Sequence, residues 1–595
     1  MQPTNTRQLA EFATQLLHAN RRAEAAQVLA DALTAAPADT HINELAGYLA
    51  ATEGRWADAA QRYALALRGR PENQVLALTL AKAHFHAGDR AAARKVIEKP
   101  AAAGNPEARR MLGMLLASGG EPFAGAAHLR AFIASRPKGA PADLEAVGAL
   151  AHALKESGQA DEALALLRPH VEARNANPRL LHLYAFTLNY APGVSTADIA
   201  AAHRRYAAAL EAEPGARAAP VHRIPPPEAG GERPRRLRIG LVSGDFRRHS
   251  VTSFLLPLLE HVGRGRFEIV CYSTHAAEDD FTRQYERQAT HFRRVHTQNA
   301  DELAATIASD RVHILIDLAG CTWNNRLAVF ARRPAPVQVA WLGYPAPTGL
   351  SAMDFRVVDA LTDAADGAPL AVPEQPLRLE PCMLAYRPYP DAPPVNERPA
   401  GAPLVLGCFG AVPKLNAPLL SLYARTLEVV PGSELLFRHV SLAEAGLRED
   451  LVKRVMAAGV KDRSRIKVEP PAPAEGSVMP AYHAVDISLD TFPYNGTTTL
   501  CESLWMGVPV VSLTGDRTAS RMGLTILSRV GLPELAASSE DAFVNTAALL
   551  ASDHQRRAEL RRTLRARVQS ALCDAGSFAR AFEDALEQSW CARKP

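Results

Sequence analysis

Val485-Asp486-Ile487-Ser488-Leu489-Asp490-Thr491-Phe492-Pro493-Tyr494-Asn495-Gly496-Thr497-Thr498-Thr499-Leu500-Cys501-Glu502-Ser503-Leu504-Trp505-Met506-Gly507-Val508-Pro509-Val510-Val511 is the stretch on which the fold turns. Val485 to Leu489 reads as a short buried strand. A sharp turn follows, holding Pro493, Asn495 and Gly496, residues that set or tolerate unusual backbone angles. Threonines then open a helix from about Thr498, Gly507 ends it, and a second strand starts near Val508. Thr is a good N-cap, and the first amides of a helix have no partner within it. Those N–H groups, with roughly +0.5 charge from the helix dipole, make a ready anion site. Nothing bulky stands in the way of a diphosphate there. Taken alone, the same residues also describe an ordinary turn before a well-capped helix. The rest of the chain decides between the two.

Upstream, from about Thr6 to Pro214, the chain is rich in Ala and Leu and helical in period. Asn20, Gly54 and Gly88 stand 34 apart, as do Ala25, Ala59 and Ala93, and Pro37 and Pro71. Pro106 follows at nearly the same step. A helix-turn-helix unit of 34 residues is the tetratricopeptide signature. A small residue lets the two helices of a unit approach, Gly or Asn takes the turn, and Pro closes the second helix. Later units are less regular, and five to six are expected in all. Such arrays stack into a superhelix whose concave face binds peptides, or serve only as a scaffold for oligomers.

Residues 217 to 236 include Ile224-Pro225-Pro226-Pro227 and Gly230-Gly231, a linker composition. Apolar strands then alternate with helices: Leu237 to Ser243, Phe267 to Tyr272, Val312 to Leu318, Val337 to Leu342 and Met353 to Val358. After a proline-rich crossing from Pro388 to Pro403, the pattern restarts with Leu404 to Phe409, Glu434 to Arg438, Ile466 to Val468, the opening strand and Val508 to Leu513. Alternation of this kind implies parallel sheets with helices on both faces, and ligands bind at the C-terminal ends of the strands. His249, Gly343, Lys414 and Thr498 all fall just after predicted strands, which argues for one site. The fold class expected is therefore α followed by α/β: helical repeats over residues 1–216, a linker over 217–236, and two Rossmann-like lobes over 237–395 and 396–595, the second carrying the terminal helices.

A chain of 595 residues holds several domains at about one per 150. A net charge of +4 without a long basic run gives no case for nucleic acid. The N-terminus lacks an apolar signal core, and no stretch approaches the ~18 apolar residues of a membrane span. A soluble cytoplasmic protein is expected. Seven scattered cysteines with no C-x-x-C argue against a structural zinc or a disulfide framework. Cys321 and Cys501 read as small packing residues.

These pieces resemble family 41 of the glycosyltransferases, the O-GlcNAc transferase and SPINDLY proteins. Four segments carry the resemblance. They are Arg238-Ile239-Gly240 through His249; Arg333-Pro334-Ala335-Pro336-Val337-Gln338-Val339; Trp341-Leu342-Gly343-Tyr344-Pro345 with Thr348-Gly349; and Leu489-Asp490-Thr491 through Pro509. The resemblance implies a GT-B catalytic region of two Rossmann-like domains and inverting transfer of a sugar from a nucleotide to a protein Ser or Thr hydroxyl. It places His249 beside the sugar and acceptor, and Leu342, Gly343 and Pro345 around the sugar. Lys414 would meet the donor phosphates, and Thr498 and Thr499 would hold the diphosphate with their amides. Tyr494 joins the donor-binding set. Glu502 would accept from the ribose hydroxyls, unless it is only an exposed helix-face glutamate. His249 could instead merely cap the next helix.

This sequence departs from the O-GlcNAc transferase pattern at several positions. Thr497 replaces a histidine, Glu502 an aspartate and Ala411 a glutamine, and Pro473 to Tyr482 lacks the Lys and His that serve uridine. Thr497-Thr498-Thr499, Cys501-Glu502-Ser503 and Asn324-Asn325 are closer to SPINDLY, a group associated with GDP-fucose. UDP-GlcNAc is the family default for the donor and GDP-fucose the alternative. No D-x-D motif stands at a strand end, so no metal or other cofactor is expected. The expected partners are the nucleotide sugar, protein or peptide acceptors in the repeat groove, and a possible second copy as a homodimer; nucleic acid and membranes are not. A repeat scaffold attached to a degenerate transferase is the rival from another class, and a transferase of lipid or small-molecule acceptors is a second.

Overall fold

The 34-residue step becomes paired helices. In the computed structural model, which describes residues 6–216, 236–363, 371–399, 401–470 and 478–592, twelve helices run in six pairs from Thr6–His18 to Thr196–Glu211. Ala25, Ala59 and Ala93 are fully buried, as close helix approach requires. Asn20, Gly54 and Gly88 all take left-handed backbone angles, with φ of 56°, 75° and 85°. Asp39, Asn73 and Asn105 accept the Ile42, Leu76 and Ala108 amides at 2.9, 3.1 and 3.0 Å, and each such cap is worth about 1 kcal/mol. Pro106 differs from the expectation. It opens the helix Pro106–Ser118 at its first turn rather than closing the one before, a place where the missing N–H costs nothing.

The chain forms two compact units, Met1–Leu154 and Lys155–Pro595. The first is built on small-residue layers such as Ala10, Ala13, Leu29, Ala32, Ile42 and Leu49. The second holds the helices Ala160–Val171, Pro178–Leu188 and Thr196–Glu211 together with both sheets. The switch from helices to strands and the division into compact units therefore fall at different places. Of the expected linker, all but Arg236 lies outside the described residues.

The first sheet contains β1 (Leu237–Ser243), β2 (Phe267–Ser273), β3 (His291–Arg294), β4 (Ile314–Asp317), β5 (Val337–Ala340), β6 (Phe355–Val358) and β7 (Gln375–Arg378). Their order is β3-β2-β1-β4-β5-β6-β7 and every pair is parallel. The second contains β8 (Val405–Cys408), β9 (Glu434–Arg438), β10 (Ile466–Glu469), β11 (Ile487–Leu489), β12 (Val510–Leu513) and β13 (Ala536–Ala537), ordered β10-β9-β8-β11-β12-β13 and again parallel. Each sheet reverses its order beside its first strand, between β1 and β4 and between β8 and β11. Crevices for ligands open at such switch points.

The helix His554–Leu572 packs on Thr498–Trp505, where Arg565 donates to the Trp505 carbonyl at 2.8 Å. The last helix, Ala575–Cys591, does not stay with the second lobe as expected. Phe578, Phe582, Leu586 and Trp590 form one apolar stripe at i, i+4 spacing. That stripe crosses to the first sheet, where Phe582 lies 4.6 Å from the Trp341 ring and Glu583 accepts the Gly263 amide at 2.6 Å. Among the described residues no helix is long and apolar enough to cross a membrane.

Candidate functional site

The turn after β11 is held by one buried carboxylate. Asp490 Oδ1 accepts the Thr491 and Gly496 amides at 2.8 Å each, and Oδ2 accepts the Ser512 hydroxyl at 2.6 Å. Burial raises this carboxyl to about 6, against the pull of those donors and of Lys414. Asn495 donates to the Thr491 carbonyl at 2.8 Å, closing the turn on itself, and to the Leu513 carbonyl at 3.3 Å, tying it to β12. The helix that follows, Thr498–Trp505, starts where the sequence predicted. Thr497 makes no side-chain cap, contrary to the expectation of a well-capped helix. Its φ of −118° and ψ of −66° are outside the extended region usual for capping residues. Among the described residues no acceptor meets the amides of Thr498, Thr499 or Leu500.

Lys414 ends a short turn after β8 and reaches this helix start. Its Nζ donates to the Asn495 carbonyl at 2.9 Å and lies 4.1 Å from the centre of the Tyr494 ring. Burial pulls its pKa down to about 8, while Asp490 and Cys408 oppose that shift. A bound anion would restore the charge. Glu502, one turn into the helix, is 5% exposed. Tyr482 donates to the Thr499 carbonyl at 3.2 Å and to Glu502 Oε2 at 3.5 Å. Burial raises the Glu502 carboxyl to about 8. The exposed helix-face alternative is thereby excluded.

The first lobe carries the remaining residues named from the sequence. His249 follows β1, with Nδ1 3.6 Å from Asp245 Oδ2 and receiving the Val251 amide at 3.3 Å. Burial holds its pKa below the usual value against the opposing charge of Asp245. Val251 is the residue just before the helix Thr252–His261, which has no side-chain cap of its own, so the histidine holds the backbone that leads into that helix. Tyr389, from the crossing segment, donates to the His249 carbonyl at 3.2 Å. Burial first, and then the Glu502 carboxyl, raise its phenol. After β5, Leu342 has φ of +75°, a strained angle for a branched residue. Gly343 is required there, because a Cβ would stand 1.9 Å from the Leu318 carbonyl oxygen. Among the described residues no cluster of His, Cys, Asp and Glu has the makings of a metal site.

The pattern of glycosyl transferase family 41 matches residues 221–371 and 398–582. The chain belongs to that family. A tetratricopeptide-repeat pattern matches residues 50–118. An O-GlcNAc transferase mutant from Thermobaculum terrenum has a similar structure, with TM-score 0.76 and 30% identity over 87% of this chain and 97% of that one. A Hordeum vulgare protein named "Probable UDP-N-acetylglucosamine--peptide N-acetylglucosaminyltransferase SPINDLY" is 37% identical over 60% of this chain and 38% of its own length. A Caenorhabditis elegans protein named "UDP-N-acetylglucosamine--peptide N-acetylglucosaminyltransferase" is 26% identical over 60% of this chain and 41% of its own. The chain thus spans about two fifths of the length of these relatives.

Within this family 41 chain, Lys414, Tyr494, Thr498, Thr499 and Glu502 come together at the β8/β11 switch point. His249 and the loop Leu342, Gly343 and Pro345 stand at the ends of β1 and β5. The sequence reading assigned no role to Asp490 or Tyr389, and placed Asn495 only as a turn residue. A carboxylate directly after an apolar strand, six residues before a glycine, was the signal for Asp490. Tyr389 had none. The base-side segment Pro473 to Ser477 lies outside the described residues, and Tyr482 at its end is fully buried.

Proposed function

We propose that this family 41 protein transfers a sugar from a nucleoside diphosphate to Ser or Thr hydroxyls of proteins, with inversion and without a metal. The observation that carries this reading is the anion cradle. Among the described residues the Thr498, Thr499 and Leu500 amides meet no acceptor, and they follow directly on the turn whose Asn495 carbonyl the Lys414 ammonium reaches at 2.9 Å. The acceptor oxygen attacks the anomeric carbon, the bond from that carbon to the diphosphate oxygen breaks, and the electron pair leaves with the diphosphate. The cradle meets that charge with fixed dipoles and one cation, already in place before the donor binds. Glu502 takes two hydrogen bonds from the ribose diol, Tyr494 carries the lysine, and the loop Leu342, Gly343 and Pro345 walls the sugar. The hydroxyl proton goes to His249 or through a relay to the departing phosphate. In the unliganded chain Nδ1 accepts the Val251 amide, so the neutral ring carries its proton on Nε2, and acting as base there requires Nδ1 to turn its proton to Asp245, 3.6 Å away.

The names of the relatives support UDP-GlcNAc as donor. The run Thr497 to Glu502 supports GDP-fucose as the second reading. Acceptors are proteins or peptides held in the repeat groove, and a homodimer is compatible with the array. All seven cysteines are free thiols, which fits the cytoplasm. The test is a panel of nucleotide sugars with an acceptor peptide, with and without EDTA, and calorimetry with UDP and GDP on the same preparation. Transfer from none of the donors overturns the reading in favour of a binding scaffold. UDP binding ten-fold tighter than GDP, about 1.4 kcal/mol, removes the case for a purine donor.

A further inference from the structure

Two consecutive residues of the helical segment reach opposite lobes. Asn189 is the residue at which helix Pro178–Leu188 ends, and it is 1% exposed. Its Nδ2 donates to the Tyr344 hydroxyl at 2.6 Å. That hydroxyl is also 2.7 Å from His203 Nε2, while His203 Nδ1 is 2.7 Å from the Ile199 carbonyl. A carbonyl can only accept, so Nδ1 carries the proton and Nε2 accepts from Tyr344. The histidine is neutral over the working range, since burial lowers its pKa to about 4. The Tyr344 hydroxyl therefore receives one hydrogen bond and gives one, in one arrangement only. Tyr344 sits between Gly343 and Pro345, in the loop of the first lobe assigned to the sugar.

Tyr190 turns the other way. Its ring lies 5.3 Å from that of Tyr494, the ring that carries the Lys414 ammonium at 4.1 Å. On its own segment it is backed by Lys155, 5.5 Å from its ring centre and 3% exposed. The second lobe grips the backbone around it. Arg517 donates to the Leu188 and Ala191 carbonyls at 3.4 and 3.2 Å. Asn416 donates to the Tyr190 carbonyl at 3.5 Å and to the Phe492 carbonyl of the phosphate turn at 2.7 Å.

We propose that Asn189 and Tyr190 are positioning residues for the transfer, Asn189 fixing the sugar-side loop through Tyr344 and Tyr190 fixing Lys414 through Tyr494. The proposal rests on the reading that Lys414 meets the diphosphate and that the Leu342–Pro345 loop meets the sugar. One short segment, belonging to neither Rossmann-like lobe, thereby sets the distance between the two halves of the donor. The two arms differ in what they govern. A nucleoside diphosphate without its sugar needs only the Tyr190 arm, whereas turnover needs both.

The test uses the full chain with Tyr190→Leu, Tyr190→Phe, Asn189→Ala and Lys414→Met, each measured below its melting temperature. Tyr190→Met replaces the leucine variant should that one not fold. Binding of UDP and GDP is read by calorimetry, and turnover of the active donor is read across pH. Tyr190→Leu should weaken binding of the preferred diphosphate at least ten-fold and shift the alkaline limb of kcat/KM, while Tyr190→Phe stays within two-fold of wild type. Asn189→Ala should leave diphosphate binding within two-fold and lower kcat at least ten-fold. Added to Lys414→Met, Tyr190→Leu should cost less than two-fold more. Wild-type affinity and pH profile in Tyr190→Leu overturn the proposal, as does an undiminished effect in the Lys414→Met background or an unchanged kcat in Asn189→Ala. If Lys414→Met itself binds and turns over normally, the lysine reading fails instead.

Discussion

Replacing Glu502 by Gln should make the unliganded protein more stable and its nucleotide binding weaker, each with a defined pH dependence. In the folded chain this carboxyl is raised from 4.5 to about 8, with burial as the cause. A raised carboxyl pKa means that the folded state holds the proton more tightly. The corresponding stability is full below the unfolded pKa and is lost as pH rises through the folded one. At ~1.4 kcal/mol per pH unit, the interval corresponds to at most ~5 kcal/mol, reached above about pH 8. Gln does not titrate, has nearly the same shape and still accepts from Tyr482. The variant should therefore melt with the wild type near pH 4.5 and progressively above it from pH 5 to 8. Binding should run the other way. Once ionised, the carboxylate makes charge-assisted bonds to the ribose diol, worth roughly 1.5–3 kcal/mol each. The affinity ratio for UDP or GDP between wild type and variant should then open from about two-fold at pH 6.5 to more than ten-fold at pH 9. Thermal melts across pH and calorimetry at both ends check this. A variant less stable than wild type at pH 8 would refute the reasoning, because it would mean that a cation or donor set stabilises the ionised form.

Lys414→Ala should lower turnover ~10²–10³-fold with little change in melting temperature, the cost of losing one preorganised stabilising group. In the wild type, kcat/KM should fall above about pH 8 as the free enzyme's Lys414 loses its proton, and Lys414→Arg should move that limb out of range. Gly343→Ala places a Cβ 1.9 Å from the Leu318 carbonyl oxygen, so the loop must move. A loss of about 1–3 kcal/mol in stability, with turnover falling as well, is expected from urea melts and initial rates. Turnover should survive EDTA, and loss restored by Mg²⁺ or Mn²⁺ would overturn the metal-free mechanism.

Signals that are local along the chain were legible from the sequence. The 34-residue step, with left-handed turns at Asn20, Gly54 and Gly88, depends only on helix length and turn chemistry. The strand, turn and helix from Ile487 to Trp505 depend on apolar runs, Pro, Gly and Thr. That the sheets are parallel followed from the alternation of strands with helices, since parallel neighbours need a crossover, but the order of the strands within them did not. Three of the four edge strands escaped because they lack an apolar run, whereas β10 was legible from Ile466 to Val468. β3 is His291-Phe292-Arg293-Arg294 and mostly exposed, β7 is Gln375-Pro376-Leu377-Arg378 with one buried residue, and β13 has two residues.

Only the tertiary structure decided where side chains distant in sequence meet. The last helix crosses to the first lobe because its aromatic stripe needs an apolar partner, which Trp341 provides. Glu502 reads as a surface glutamate in its own helix and becomes a buried, proton-holding group only when Tyr482 packs over it. Asn189 and Tyr190 carry no local signal, and their contacts with Tyr344 and Tyr494 span 155 and 304 positions of the chain. Periodicity and capping act over a few residues, whereas burial, pKa and the placing of a cation depend on everything packed around the group. The chemistry of the site is therefore written in local residues, and its electrostatics in the packing that brings them together.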